Sequence, residues 1–243
     1  MTSIMESSQS AAEARPAVWV NCAVSADGRL AYANGRRAYL SGPEDLARVQ
    51  RLRAESDGIV VGVGTVILDD PSLRVHWELV NEPPHPPPLR IVLDSRGRVP
   101  EKARVLDGAL PTLVAVSERS TRKFPAGIET VVAGRDTVEI PRLWSLLHAR
   151  GVRRLMVEGG SRVLASVLRS GSFDRFTVYV APILIGGSSA PPLMTGPECP
   201  DPEKTVALTL LALERLGDGH LLSYAPRREP SGPGTNSAPP TVI

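Results

Sequence analysis

Short apolar runs alternate with helical stripes along most of the chain. The runs at 17–24, 58–62, 89–93, 112–116, 129–132, 154–157 and 175–181 are rich in Val, Ile or Leu. Gly, Pro or Asp bounds most of them, which predicts strands. Most are nearly continuous rather than alternating, the pattern of strands covered on both faces in a mainly parallel sheet. Between them the spacing predicts three helices. One starts at Pro43 with Leu46, Val49 and Leu52 on a stripe. Another runs from Ile140 with Leu143, Leu146 and Leu147 and stops at Gly151. The third runs from Gly160 with Val163, Leu164, Val167 and Leu168. Two late runs, 205–213 and 220–224, predict a closing antiparallel hairpin. The alternation predicts an α/β fold, a mostly parallel central sheet with helices on both faces.

The Pro and Gly content refines this picture. Segment 226–243 has almost no hydrophobic pattern and predicts a disordered C-terminal tail. Segment 1–15 is rich in Ser, Ala and Glu, lacks an apolar stretch, and predicts a flexible N-terminal tail rather than a secretory signal. The Pro cluster at 82–88 predicts a surface loop. One folded unit, 16–225, remains.

Charge and cysteine use remove whole classes of function. Lys plus Arg number 28 and Asp plus Glu 26, a formal charge of +2. Neither this charge nor the 4% aromatic content suits a nucleic-acid partner. The two cysteines, Cys22 and Cys199, are too far apart for a Cys-x-x-Cys motif, which fits a reducing cytoplasmic setting and gives no metal site. No apolar run approaches the ~20 residues of a membrane span, so no membrane partner is expected.

In an open α/β sheet, ligands bind beyond the carboxyl ends of the strands. Ser25-Ala26-Asp27-Gly28-Arg29 follows the first strand and has the composition of a sharp turn. Gly62-Val63-Gly64-Thr65 follows the second. Its glycines allow close backbone approach or tight packing, and Thr65 is the expected N-cap of a helix leading to Asp69 and Asp70. Val157-Glu158-Gly159-Gly160-Ser161-Arg162 is the more specific signal. It sets a carboxylate at a strand end before a glycine pair and a helix start that offers donors to phosphate. Glu158 could instead serve only as an acceptor for those helix amides. His76-Trp77-Glu78 imitates a zinc deaminase motif but lacks the cysteine partners. No Gly-x-Ser-x-Gly hydrolase motif occurs. Arg48, Arg51 and Arg53 are most simply a solvated helix face, and His85, His148 and His220 carry no specific signal.

Taken together, these segments resemble the pyrimidine reductase of riboflavin biosynthesis, found alone or as the C-terminal half of a bifunctional RibD-type deaminase/reductase. The matching pieces are residues 20–28 (VNCAVSADG), 52–54, 61–65 with 69–73, 91–95 (IVLDS), 157–160 (VEGG), and Ala181-Pro182 before Gly186-Gly187. The resemblance implies a three-layer dihydrofolate-reductase-like fold, a homodimer, NADPH as cofactor, and a separate deaminase chain, since that half is missing. It implies NADPH contacts at Val24, Tyr39, Thr65, Asp69, Ser95 and the helix start Gly160, Ser161, Arg162, Val163, Leu164, Ala165 and Ser166, beside Gly62, Gly64 and Gly159. It implies substrate contacts at Arg37, Arg53, Leu73, His76 and Glu158.

The reaction so implied is NADPH-dependent reduction of the ribosylamino group of a (di)aminopyrimidine 5′-phosphate to ribitylamino. Glu158 or Asp69 would hold or protonate the opening sugar, and Asn21 would hydrogen-bond near C1′. The sequence departs from the family at Ala26, usually Leu, and at His76, commonly Arg. Asn21 stands where many bifunctional members carry Lys. Two other readings stay open: a related NADPH reductase of another heterocyclic or carbonyl substrate, and a non-catalytic NADPH-binding sensor.

Overall fold

The computed structural model describes residues 14–80, 85–196, 201, 203 and 205–227. Most of both predicted tails, residues 82–84 of the proline loop, and Cys199 lie outside the described residues. Seven strands run parallel: β1 (Ala17–Ser25), β2 (Gly58–Gly62), β3 (Leu89–Leu93), β4 (Thr112–Val116), β5 (Ile128–Val132), β6 (Arg154–Gly159) and β7 (Arg175–Ala181). An antiparallel hairpin, β8 (Leu208–Leu216) and β9 (Gly219–Pro226), closes the sheet against β7. The order is β5-β4-β3-β2-β6-β1-β7-β9-β8. The predicted α/β architecture is therefore observed. Arg15, assigned to the N-terminal tail from sequence, is tied to Asp174 by two 2.7 Å hydrogen bonds.

Residue parity sorts the two faces, because side chains alternate along a strand. Val18, Val20, Cys22 and Val24 of β1 join Leu155 and Val157 of β6 and Phe176 and Val178 of β7 in the main core. Helices α3 (Ile140–Ala149) and α4 (Ser161–Arg169) cover that face with Leu143, Trp144, Leu147, Leu164 and Leu168. Trp144 is fully buried, and its indole N–H donates to the Ser172 carbonyl at 2.9 Å.

The opposite face carries α1 (Pro43–Ala54) and α2 (Val63–Asp69). It holds two separate apolar clusters. One, over β2, β3 and β4, contains Ile59, Val61, Val66, Leu73, Val92 and Val114. The other, over β7 and β9, contains Ala38, Leu40, Tyr179 and Leu221. The gap between them lies over β6 and β1.

Four sequence expectations are corrected. Leu46 was placed on the buried stripe of α1, yet it is 41% exposed, while Asp45 is 1% exposed. The sheet-facing stripe is thus rotated by one residue. Thr65 is not an N-cap: α2 begins at Val63 after extended Gly62, which puts Thr65 on its third residue. The last hairpin begins and ends later than 205–213 and 220–224, because β8 is an edge strand whose exposed faces accept Glu214 and Arg215. The sixth strand continues past Val157 through Glu158 and Gly159.

Candidate active site

The gap on the α1 face is lined with polar groups. Val20 pairs with Val157 in parallel register and both face the main core, so Asn21 and Glu158 turn together to the other face. Thr177 of β7 is in register with Asn21 and joins them. Glu158 lies at the carboxyl end of β6, where α/β sheets bind ligands, while Asn21 and Thr177 lie deeper, near the middle of β1 and β7.

Helix α1 roofs this row. Pro43 at its first position, acidic Glu44 and Asp45 in its first turn, and Arg51 and Arg53 in its last turn suit the helix dipole. Arg53 donates side-on to Glu158, from Nε to Oε1 at 2.5 Å and from Nη2 to Oε2 at 2.6 Å. Both side chains are mostly buried, 15% and 13% exposed. The carboxylate overcomes the cost of burying the guanidinium and holds the Arg53 pKa above its usual value. Such a fork-to-fork pair is geometrically specific as well as strong.

The same helix secures the loop after α2. Arg53 Nη1 donates to the Arg74 carbonyl at 2.9 Å, and the His76 amide donates to Gln50 Oε1 at 2.9 Å. Between them Leu73 is 2% exposed with φ of 53°, a left-handed conformation that only a well-packed neighbourhood sustains for a leucine. The expected substrate residues Arg53, Leu73, His76 and Glu158 are therefore one connected assembly. The His76 ring itself faces outward and contacts Glu78 at 3.0 Å.

Asn21 joins the assembly through different partners. Its Oδ1 accepts from Arg48 Nη2 at 2.7 Å and from Thr177 Oγ1 at 2.8 Å. Arg48 is held by Asp45 Oδ1 at 2.9 and 2.7 Å, and Asp45 Oδ2 accepts from Ser41 Oγ at 2.5 Å. This corrects the reading of Arg48, Arg51 and Arg53 as a solvated face: only Arg51 is exposed. Asp45, Arg48, Gln50 and Thr177 had been missed. Their signal was the spacing Asp45, Arg48, Leu52, a helical stripe in which the polar members hid the buried side. The neighbouring Cys22 is fully buried, which pushes its thiol up to about 12 and makes it inert.

The glycine pairs separate by role. A Cβ on Gly62 would meet Val163 Cγ2 at 2.7 Å, so Gly62 permits close packing of α4 on the sheet. Gly64 faces open space. Gly159 and Gly160 have φ of 126° and 58°, and a Cβ on Gly160 would lie 2.9 Å from Thr65 Oγ1. Gly160 precedes α4 without any side-chain cap, leaving the first-turn amides to other acceptors. Ser161 does not cap them, and its hydroxyl donates to the Pro192 carbonyl at 2.6 Å. Val163, Leu164 and Ala165 are buried in the core side of α4, and the Ser166 hydroxyl donates to the Arg162 carbonyl. The Arg162 side chain, the exposed Ser166 and the backbone of this helix start face outward.

The remaining expected residues are not joined to Glu158 by direct contact. Ser95 Oγ accepts from the Val138 amide at 3.0 Å, two strands away from β6. Val24 is buried in the main core. Asp69 closes α2, and partial burial raises its carboxyl pKa against the opposing charge of Arg37. Tyr39 is 87% exposed, with the Arg37 guanidinium 5.7 Å from its ring centre. The turn after β1 is anchored by Asp27, whose carboxylate accepts from Ser25 Oγ at 2.6 Å and from the amides of Ile185 and Gly186 at 3.0 and 2.7 Å. Among the described residues no cluster of three or more His, Cys, Asp or Glu is arranged to hold a metal, and no helix is long and apolar enough to cross a membrane.

Comparison with known proteins adds to this geometry. The family model described as the RibD C-terminal domain matches residues 16–222. A 2,5-diamino-6-ribosylamino-4(3H)-pyrimidinone 5′-phosphate reductase of Archaeoglobus fulgidus is 41% identical over 214 residues, covering 84% of this chain and 95% of that protein. The protein of the same name from Methanothermobacter thermautotrophicus is 39% identical, covering 86% of this chain and 98% of its own length. Among solved structures, RibD of Acinetobacter baumannii superposes with a TM-score of 0.75 at 26% identity. That match covers 88% of this chain but only 59% of the Acinetobacter chain.

Proposed function

The chain belongs to the RibD C-terminal domain family, and from that premise we propose that it is the riboflavin-pathway reductase acting on a 2,5-diamino-6-ribosylamino-4(3H)-pyrimidinone 5′-phosphate. The two archaeal relatives, which share nearly their whole length with it, support the diamino substrate over the uracil type. The single observation that carries the reading is the buried Arg53–Glu158 pair beside Asn21 under α1. It is a polar, charged seam on the sheet under α1, set between two apolar clusters.

The residues fit NADPH. Open space above Gly64, the uncapped amides of α4 and the outward Arg162 suit a dinucleotide and its phosphates. When bound, NADPH supplies the hydride that reduces C1′ of the opened sugar. The chain's own part is to bind, orient and exclude water. Glu158, with both oxygens held by Arg53, accepts from a sugar hydroxyl in a fixed direction. Asn21 donates its amide near C1′. Asp69, at the end of α2 with its carboxyl raised by desolvation against the charge of Arg37, is the candidate to pass a proton to the opening sugar. Arg53 holds Glu158, and the exposed Arg37 offers positive charge to the substrate phosphate.

The enzyme works as a homodimer with its deaminase on a separate chain. Support for the dimer comes from edge strand β8, where Leu210, Leu211 and Leu213 are each more than half exposed.

The direct test assays purified protein with both pyrimidines and both nicotinamides. Consumption of NADPH with the diamino compound is expected, together with growth of a riboflavin-requiring reductase mutant. Failure of both would remove the pathway reading. Glu158→Gln should lower turnover by roughly 100-fold, with little change in NADPH affinity. An equal loss of NADPH binding would place Glu158 at the cofactor instead.

A further inference from the structure

The hydrogen bonds around Asn21 raise the question of which way its carboxamide points. A carboxamide has one acceptor end and one donor end. Thr177 cannot settle the direction, because a hydroxyl both donates and accepts and would serve either orientation. Arg48 can, because a guanidinium has donors only. With Arg48 Nη2 at 2.7 Å, the facing atom has to be the oxygen. A reversed amide would set two donors against each other.

We propose that Arg48 is a positioning residue that fixes the Asn21 amide with Nδ2 turned to the substrate, where it donates to an acceptor atom of the ribosylamino group. The inference rests on the reductase reading given above. Nδ2 has no hydrogen-bond partner among the described residues, although Asn21 is 5% exposed and lies beside Glu158 on the same face. Arg48 is itself locked. Its Nε and Nη2 both reach Asp45 Oδ1, and Asp45 is held from its other oxygen by Ser41. Asp45 therefore neutralises a nearly buried guanidinium and aims it. The chain of contacts runs Ser41, Asp45, Arg48, Asn21, and each step has one geometry. Helix α1 thus directs both neighbours in the site, Asn21 through Arg48 and Glu158 through Arg53.

The experiment compares Arg48→Met, Arg48→Lys, Asn21→Ala and the double variant Asn21→Ala/Arg48→Met. Each is measured for kcat, substrate KM, NADPH Kd and thermal midpoint. Removing a single donor to developing charge lowers kcat by about 100-fold, which is the expectation for Asn21→Ala. Arg48→Met should lose roughly 10-fold in kcat because the freed amide samples both orientations, with KM and NADPH Kd within about twofold. Arg48→Lys keeps a donor-only partner and should recover most of the rate. The double variant should be no slower than Asn21→Ala, since Arg48 acts only through that amide. If Arg48→Met does not fold, Asp45→Asn/Arg48→Gln removes both charges together and gives the amide a partner that accepts as well as donates. It should show the same fall in kcat. A wild-type rate in folded Arg48→Met or Asp45→Asn/Arg48→Gln, or a double variant Asn21→Ala/Arg48→Met slowed by the product of the single effects, would overturn the proposal. A wild-type protein that reduces neither pyrimidine overturns the functional reading first, which separates the two failures.

Discussion

Asp27 shows how one side chain converts a turn into a fastening. Acceptance from the Ser25 hydroxyl, and then from the Ile185 and Gly186 amides, lowers its carboxyl to about 2 from the usual 3.8. A lowered carboxyl stabilises the folded state above its unfolded value, and that stability is lost as pH falls through the folded value. Asp27→Asn should therefore lower the thermal midpoint at neutral pH. Its deficit relative to the parent should narrow as pH is lowered to about 3 and below. A deficit that stays constant in acid would mean that shape rather than charge holds the 183–187 loop. At this scale the sequence was partly readable. Glu158 stood out because a carboxylate at a strand end before two glycines and a helix start is a local pattern, visible without its buried partner. Its partner Arg53 was recognisable only through the family resemblance. Arg48 and Asp45 did not stand out, because a charged pair that is buried and self-neutralised has the same composition as a pair in water. The long-range contact that separates the two cases, Arg48 to Asn21, joins helix to strand.

At the level of elements, the parallel strands were legible because burial on both faces leaves few polar residues inside them. All five residues of β2 and of β4 are buried. Helix α1 was legible in extent but not in rotation. Its Leu46 faces solvent, and its sheet-facing side carries polar groups that meet other polar groups. Periodicity reports burial only when burial and apolarity coincide. The glycines of the strand-to-helix turns were visible, yet their division of labour depends on neighbours from distant elements. Gly62→Ala tests it. The added methyl would press on Val163 Cγ2 at 2.7 Å, and repacking α4 should cost about 1–3 kcal/mol in chemical denaturation. Gly64→Ala has open space and should cost far less. Equal losses would refute the packing role assigned to Gly62.

For the molecule as a whole, the near-zero net charge conceals a paired interior. Arg53 with Glu158 and Arg48 with Asp45 cancel in the sum while creating the polar seam between two apolar clusters. The hairpin edge has the opposite character, with leucines turned to solvent on a strand that has only one neighbour. The protein should sediment as a dimer. Leu213→Arg should shift it toward monomer while Leu213→Met leaves it unchanged, and an arginine variant that sediments like the parent would move the interface elsewhere. The position of β1 has another consequence, for synthesis. The first strand is threaded between the sixth and seventh, so Asn21 waits for Thr177, 156 positions downstream. At ribosomal speed that interval is roughly ten to thirty seconds. Until β6 follows, an apolar segment has emerged and has no strand to pair with, and its second edge stays open until β7. A nascent chain interrupted before β6 therefore carries an apolar strand with both edges open, the condition that favours aggregation.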